Sequence, residues 1–231
     1  MRALRTVITS LILMAVAVNA NAQWDDEYKM EIGGGVGMMS YQGDFNGNIA
    51  KEMQPSLSLL ARRVLNPYMG FKANIIYGTL KGSSRNAETS FPDLRETNYS
   101  FSNKVVDACL TYEYNFWPYG TGKDYRGARR LTPFIFIGIG ATYADVNGGS
   151  VVAANLPVGG GVKYKVATRL NIGLEWAMHF CHSDKLDGVE DPYHIKSSGI
   201  FKNSDGYAAL QLTLTYSFLP KCKTCNKDND D

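Results

Sequence analysis

The chain has no excess of either charge sign. Its 24 Lys and Arg stand against 22 Asp and Glu, and a net of +2 offers no basic surplus for phosphate contacts, which sets nucleic-acid binding aside. Proline is scarce at 8 residues, too few for a collagen-like or Pro-rich disordered chain. The 4 cysteines cannot staple 231 residues into a disulfide scaffold. After the N-terminus no apolar run reaches the roughly 18 residues of a membrane-crossing helix, because charged or Gly-rich interruptions cut each one short. Helical membrane proteins are thereby excluded. The hydrophobic fraction of 45% is still enough for one packed domain.

The N-terminus is the one place with a continuous apolar stretch. Arg2 and Arg5 precede Val7 to Val18, and Ala20-Asn21-Ala22 has the small-x-small form of a signal-peptidase site. This pattern predicts a signal peptide over 1–22, cleaved after Ala22, and export from the cytoplasm. The apolar run is about half the roughly 20 residues that a retained anchor would need.

Beyond it the chain alternates at period two, the signature of strands with two unlike faces. Val106, Ala108, Leu110, Tyr112, Tyr114 and Phe116 share one face of a segment whose other face holds Asp107, Thr111, Glu113 and Asn115. Leu170 to Phe180 and Ala208 to Phe218 obey the same rule. Weaker versions cover Tyr28 to Ser40, Ser56 to Val64, Met69 to Leu80, Thr132 to Tyr143 and Val152 to Val166. In Thr132 to Tyr143 the faces are ambiguous, since Phe134 and Phe136 align with Gly138 and Gly140. Eight strands result.

Their connections alternate in length. Asn66-Pro67 and Ala167-Thr168 are tight, whereas Gln42 to Gln54, Lys81 to Asn98, Asp145 to Ser150 and Ser183 to Gly206 are longer and polar; Trp117 to Leu131 is the exception among the short ones. Short periplasmic turns and long surface loops are the habit of bacterial outer-membrane barrels. The fold class expected is an all-β, eight-stranded antiparallel up-and-down transmembrane barrel over 23–218, followed by a periplasmic tail over 219–231. Outer-membrane lipid is its first partner.

A barrel this narrow is filled by its own side chains. The minor faces carry Lys29, Glu31, Arg62, Lys72, Asp107, Glu113, Lys163 and Glu175, four of each sign. Buried charges persist only when paired, so these residues are expected to form an interior ion-pair network that plugs the barrel. A soluble, lipocalin-like barrel would turn the same faces the other way. The charged minor faces and the ending Tyr216-Ser217-Phe218, which resembles the terminal insertion signal of outer-membrane barrels, favour the membrane. Tyr112, Tyr114, Phe116, Tyr164, Trp176, Tyr216 and Phe218 would supply the interfacial girdles.

Several short motifs carry a further resemblance. Glu31-Ile32-Gly33-Gly34-Gly35 with Tyr41-Gln42-Gly43-Asp44, Phe71-Lys72-Ala73-Asn74, Pro133-Phe134 with Gly138-Ile139-Gly140, the stretch Pro157 to Tyr164, and Asp184 to Val189 are spread over nearly the whole exported chain. Together they resemble the outer-membrane barrel family of Bacteroidota that includes the PorG component of the type IX secretion system. The resemblance implies a non-enzymatic barrel, without cofactor, that contacts periplasmic secretion-ring proteins, a lipoprotein and its partner. The competing expectation is a stand-alone structural or adhesive barrel whose surface loops bind ligands.

Motifs of other chemistry are weak. No Gly cluster opens a helix in a strand-helix-strand unit, so phosphate-loop geometry is absent. His179 and Cys181 alternate away from His182 on a strand, which disfavours a shared metal, and His182 is badly placed to activate Ser183. The acidic set Asp184, Asp187, Glu190 and Asp191 reads as a solvated loop. Cys222-Lys223-Thr224-Cys225 can close a small disulfide, act as a redox couple or supply half a metal site; with no second ligand pair, the Cys222–Cys225 disulfide is favoured. Cys109 and Cys181 fall on non-adjacent strands and are expected to be unpaired. Lys123, Arg126, Arg129 and Arg130 stand with a single acid, Asp124, in one periplasmic segment and form the candidate partner-binding surface.

Overall fold

Alternating residues of opposite polarity make strands, and here every strand finds a partner on both sides. The computed structural model describes residues 28–42, 52–83, 100–122, 127–146, 149–182 and 206–220. Eight strands run in chain order: β1 Tyr28–Gln42, β2 Gln54–Asn66, β3 Met69–Ser83, β4 Ser100–Asn115, β5 Leu131–Val146, β6 Gly149–Lys165, β7 Leu170–Cys181 and β8 Gly206–Pro220. Each pairs antiparallel with its neighbours, and β1 pairs with β8 from Tyr28 opposite Pro220 to Gln42 opposite Gly206, which closes the barrel. Phe116 and Val166 fall one residue beyond β4 and β6; otherwise all eight sequence segments lie within observed strands, which run further at one or both ends. That extension corrects one connection. Asp145 to Ser150 is not a long loop, because β5 and β6 pair down to Val146 opposite Gly149 and leave only 147–148 between them.

The barrel is inside-out relative to a soluble protein. Leu59, Ile75, Ile137, Ile139, Leu174, Leu212 and Leu214 stand exposed on the outer wall, while Arg62, Lys72, Asp107, Glu113, Lys163 and Glu175 are buried in the lumen. Water would drive the opposite arrangement, so this outer wall fits a hydrocarbon surround. The faces of β5 are settled as well: Phe134 and Phe136 point inward with Gly138 and Gly140. A Cβ at Gly159 of β6 would lie 2.2 Å from the Trp176 carbonyl oxygen and 2.6 Å from the Phe136 ring, so the glycine makes room for that aromatic. Tyr114, Phe116, Tyr164 and Tyr216 are exposed near one rim, and Tyr77 and Tyr143 toward the other. Trp176 stands at mid-strand in β7, away from both.

The outer wall makes a measurable demand. An arginine at Ile139, in the middle of β5, should cost about 2–4 kcal/mol of folding stability in vesicles, whereas Ile139→Leu should cost almost nothing. Guanidinium titrations of refolding into phosphatidylcholine vesicles measure both.

Candidate functional site

The lumen is organised in layers. In the layer nearest the short turns, Glu113 of β4 is the hub of three cations from three other strands. Arg62 of β2 places Nε 2.7 Å from Glu113 Oε2, Lys163 of β6 places Nζ 2.8 Å from the same oxygen, and Lys72 of β3 lies 3.4 Å from Oε1. Arg62 Nη1 also donates to Glu31 of β1 at 2.5 Å, and Lys72 Nζ donates to Glu175 of β7 at 2.7 Å. Three cations thus meet three carboxylates, a neutral cluster tying six strands together. The paired rings of Phe134 and Phe136 close its side, with Lys163 Nζ 4.3 Å and Lys72 Nζ 4.5 Å from their centroids.

Two expected members of this network lie elsewhere. Lys29 is exposed at the start of β1, where the inward face has already left the lumen, and joins no ion pair among the described residues. Asp107 sits three alternations beyond Glu113 on β4, too far along the strand to reach the lysines. It accepts hydrogen bonds from Thr142 at 3.0 Å and from Asn155, and His179 Nδ1 lies 3.6 Å from its other oxygen. His179 in turn shares a hydrogen bond of 3.0 Å with the Tyr207 hydroxyl and stacks on its ring. Above this polar layer the lumen turns apolar, with Met39, Tyr41, Leu80, Phe101 and Val105 fully buried.

The opposite end is capped by the segment joining β4 and β5. Tyr119 is held by its amide, which donates to the Pro67 carbonyl at 3.0 Å, and its hydroxyl donates to Asn171 Oδ1 at 3.0 Å. Lys163 and Lys165 approach its ring to 5.7 and 5.4 Å. Burial, reinforced by the nearby Glu31, pushes the Tyr119 phenol well above its ordinary pKa, so it remains a neutral donor. Nearby, Thr132 Oγ1 bonds both the amide and the carbonyl of Trp117, anchoring the root of the cap.

Residues 5–227 match the family described as Domain of unknown function (DUF6089). The chain belongs to this DUF6089 family. No curated protein matches it. Among solved structures, the DUF6089 chain is similar to Neisserial surface protein A, with a TM-score of 0.51 and 11% identity over 82% of this chain and 97% of that one. It is also similar to Ail, the attachment invasion locus protein of Yersinia pestis, at TM-score 0.47 and 13% identity, covering 84% and 100%. The N-terminal β-barrel domain of Pseudomonas aeruginosa OprF gives 0.46 and 12%, again covering 84% and 100%. At such identities the first of these likenesses speaks for the fold, that of a small outer-membrane barrel.

On the DUF6089 barrel the candidate partner surface is only partly described. Arg129 and Arg130 are exposed on the cap: Arg129 lies 5.1 Å from the Trp117 ring, and Arg130 Nε donates to the Thr121 carbonyl at 2.9 Å. Arg130 therefore helps to close the cap. Lys123, Arg126, the cleavage site after Ala22, Ser183, and Cys222 with Cys225 lie outside the described residues. Cys109 and Cys181 both face the lumen, and neither is in a disulfide. No group of three or more His, Cys, Asp or Glu among the described residues could hold a metal ion. Two interior elements escaped the sequence reading. Lys165 could have been found, since it shares the parity of Lys163. Tyr119 carries no periodic signal, because it sits in an irregular segment that folds back into the barrel.

Two outcomes follow from the sealed lumen. Glu113→Ala leaves three buried cations with two carboxylates, and removing one partner of such a cluster should cost about 3–5 kcal/mol. The loss should exceed that of Glu175→Ala in the same vesicle titration. Wall residues of a water-filled channel would be accessible, yet Lys72, Glu113, His179 and Gln211 are almost wholly inaccessible. The purified protein should therefore show no stepwise conductance in planar bilayers at 100 mV.

Proposed function

We propose that this protein is a non-enzymatic component of a cell-envelope assembly in the outer membrane, serving protein secretion of the type IX kind and contacting periplasmic partners through its capped rim. The observation that carries this reading is the filled lumen. With charge pairs, a polar layer and an apolar layer stacked inside, traffic through the barrel has no route, and the chemistry left for recognition lies at the rims. The capped rim is basic and aromatic, with Arg129 and Trp117 exposed together, a combination suited to acidic partner surfaces. The short motifs shared with the PorG-containing family support the same assignment. In this reading the rim that bears both chain ends faces the periplasm, and the chain arrives there after cleavage behind Ala22.

A second reading has its own support. Between β3 and β4, and again between β7 and β8, the opposite rim carries the long polar connections 84–99 and 182–205, which could bind ligands at the cell surface in a stand-alone adhesive barrel. Reversing Arg126, Arg129 and Arg130 to Glu separates the two. Under the assembly reading, affinity capture from crosslinked cells should lose its periplasmic proteins and export should fall, while surface attachment is kept. Unchanged recovery with attachment lost on deleting 184–204 would select the adhesive barrel.

A further inference from the structure

The outer wall dips over β1. Inward positions 33, 35 and 37 are glycines, and β1 runs so near β8 that a Cβ at Gly33 would stand 2.0 Å from the Leu214 carbonyl oxygen. Gly34, between them, points outward and carries no side chain either. Leu57 and Leu59 of β2 rise on one side of it, and Leu212 and Leu214 of β8 on the other. The outcome is an apolar groove of about 730 Å³ on the outside of the barrel, with Gly34 in its floor.

Two arginines flank the same strand nearer the capped rim. Arg63 of β2 is exposed, points outward by alternation with buried Arg62, and lies opposite Met30. Arg169, exposed in the turn after β6, donates from Nε to the Tyr28 hydroxyl at 3.3 Å and from Nη1 to the Tyr216 hydroxyl at 3.0 Å. Tyr28 begins β1, and Tyr216 sits across from Ile32 of β1, so these two bonds draw the guanidinium over β8 toward β1. They use two of its five N–H donors. Among the described residues neither arginine has a carboxylate partner, in contrast to Arg62 in the lumen. Two cations thus bracket β1 at the depth of Met30. Gly34 is four residues further along, about 13 Å at ~3.3 Å per residue, within the roughly 15 Å that one leaflet's acyl chains span.

We propose that this outer face is a binding site for one anionic phospholipid, its phosphate held between Arg63 and Arg169 and one acyl chain laid in the groove over Gly34. The headgroup supplies the counter-charge that neither arginine finds among the described residues, and phosphate matches the planar donor geometry of guanidinium. The groove contacts an acyl chain from its floor and both sides, where a convex leucine wall would touch it on one side only. The site rests on membrane residence and not on any role in secretion.

The test uses full-length protein purified from membranes, delipidated in detergent and titrated with phosphatidylglycerol or phosphatidylcholine of equal chain length, read by native mass spectrometry. A single phosphatidylglycerol adduct should form, with phosphatidylcholine about tenfold weaker or more. Arg63→Gln with Arg169→Gln should bring phosphatidylglycerol down to the phosphatidylcholine level, and Gly34→Leu should weaken it about tenfold. Folding of each variant is checked by heat-dependent gel mobility. Dihexanoyl phosphatidylglycerol keeps the headgroup but cannot fill the groove, so it should bind about tenfold less to the unaltered protein. Equal binding of the two headgroups, no effect of the arginine pair, equal binding of short and long chains, or a crosslinked dimer joined across the Gly34 face would each overturn the site. Recovery of the protein in the aqueous fraction would instead refute membrane residence itself.

Discussion

Hydrocarbon offers no partner to a backbone N–H or C=O, and an open sheet edge would leave a row of them stranded at several kcal/mol each. The pairing of β1 with β8 removes that edge, and the rest of the architecture follows from the closure. Eight strands enclose a lumen too narrow for bulk water, so its contents must satisfy one another. The outer wall, in turn, is left to aliphatic side chains that need no partner.

Inside, the solution is charge balance rather than an apolar filling throughout. A buried ion pair is seldom a net gain over well-packed apolar residues, yet once one charge is present its counterpart becomes obligatory. Here Glu113 draws on β2, β3 and β6, while Glu31 and Glu175 take up what remains on Arg62 and Lys72. Such a cluster fits only one strand register. A slip of one residue would turn every charge on that strand toward lipid, and so the cluster selects against misalignment.

Much of this was legible in the sequence, because a lipid-facing strand writes its two faces into alternate letters. The strand set, its order around the barrel and the inward placing of seven of the eight expected interior charges, six of them in the ion cluster, could be read that way. Depth could not. Parity says that Lys29 and Asp107 face inward, but whether a side chain meets the ion layer depends on strand tilt and stagger, which period two does not encode. The short β5–β6 connection is hidden for a related reason: polar residues at a rim continue a strand as readily as they end it, as Asp145 and Ser150 do in their cross-strand pair. The cap was invisible because Tyr119 acts through its tertiary position and not through any repeat.

The hub arrangement also bears on how the chain reaches its final state. The partners of Glu113 are separated from it by up to 51 positions along the chain, and Lys72 and Glu175 by 103. The β2–β3 hairpin entering the bilayer alone would carry Arg62 and Lys72 uncompensated, since their carboxylate partners belong to β1, β4 and β7. Insertion of that hairpin ahead of its neighbours is thus penalised, and the lumen is fully neutralised only once β1, β4, β6 and β7 stand beside it.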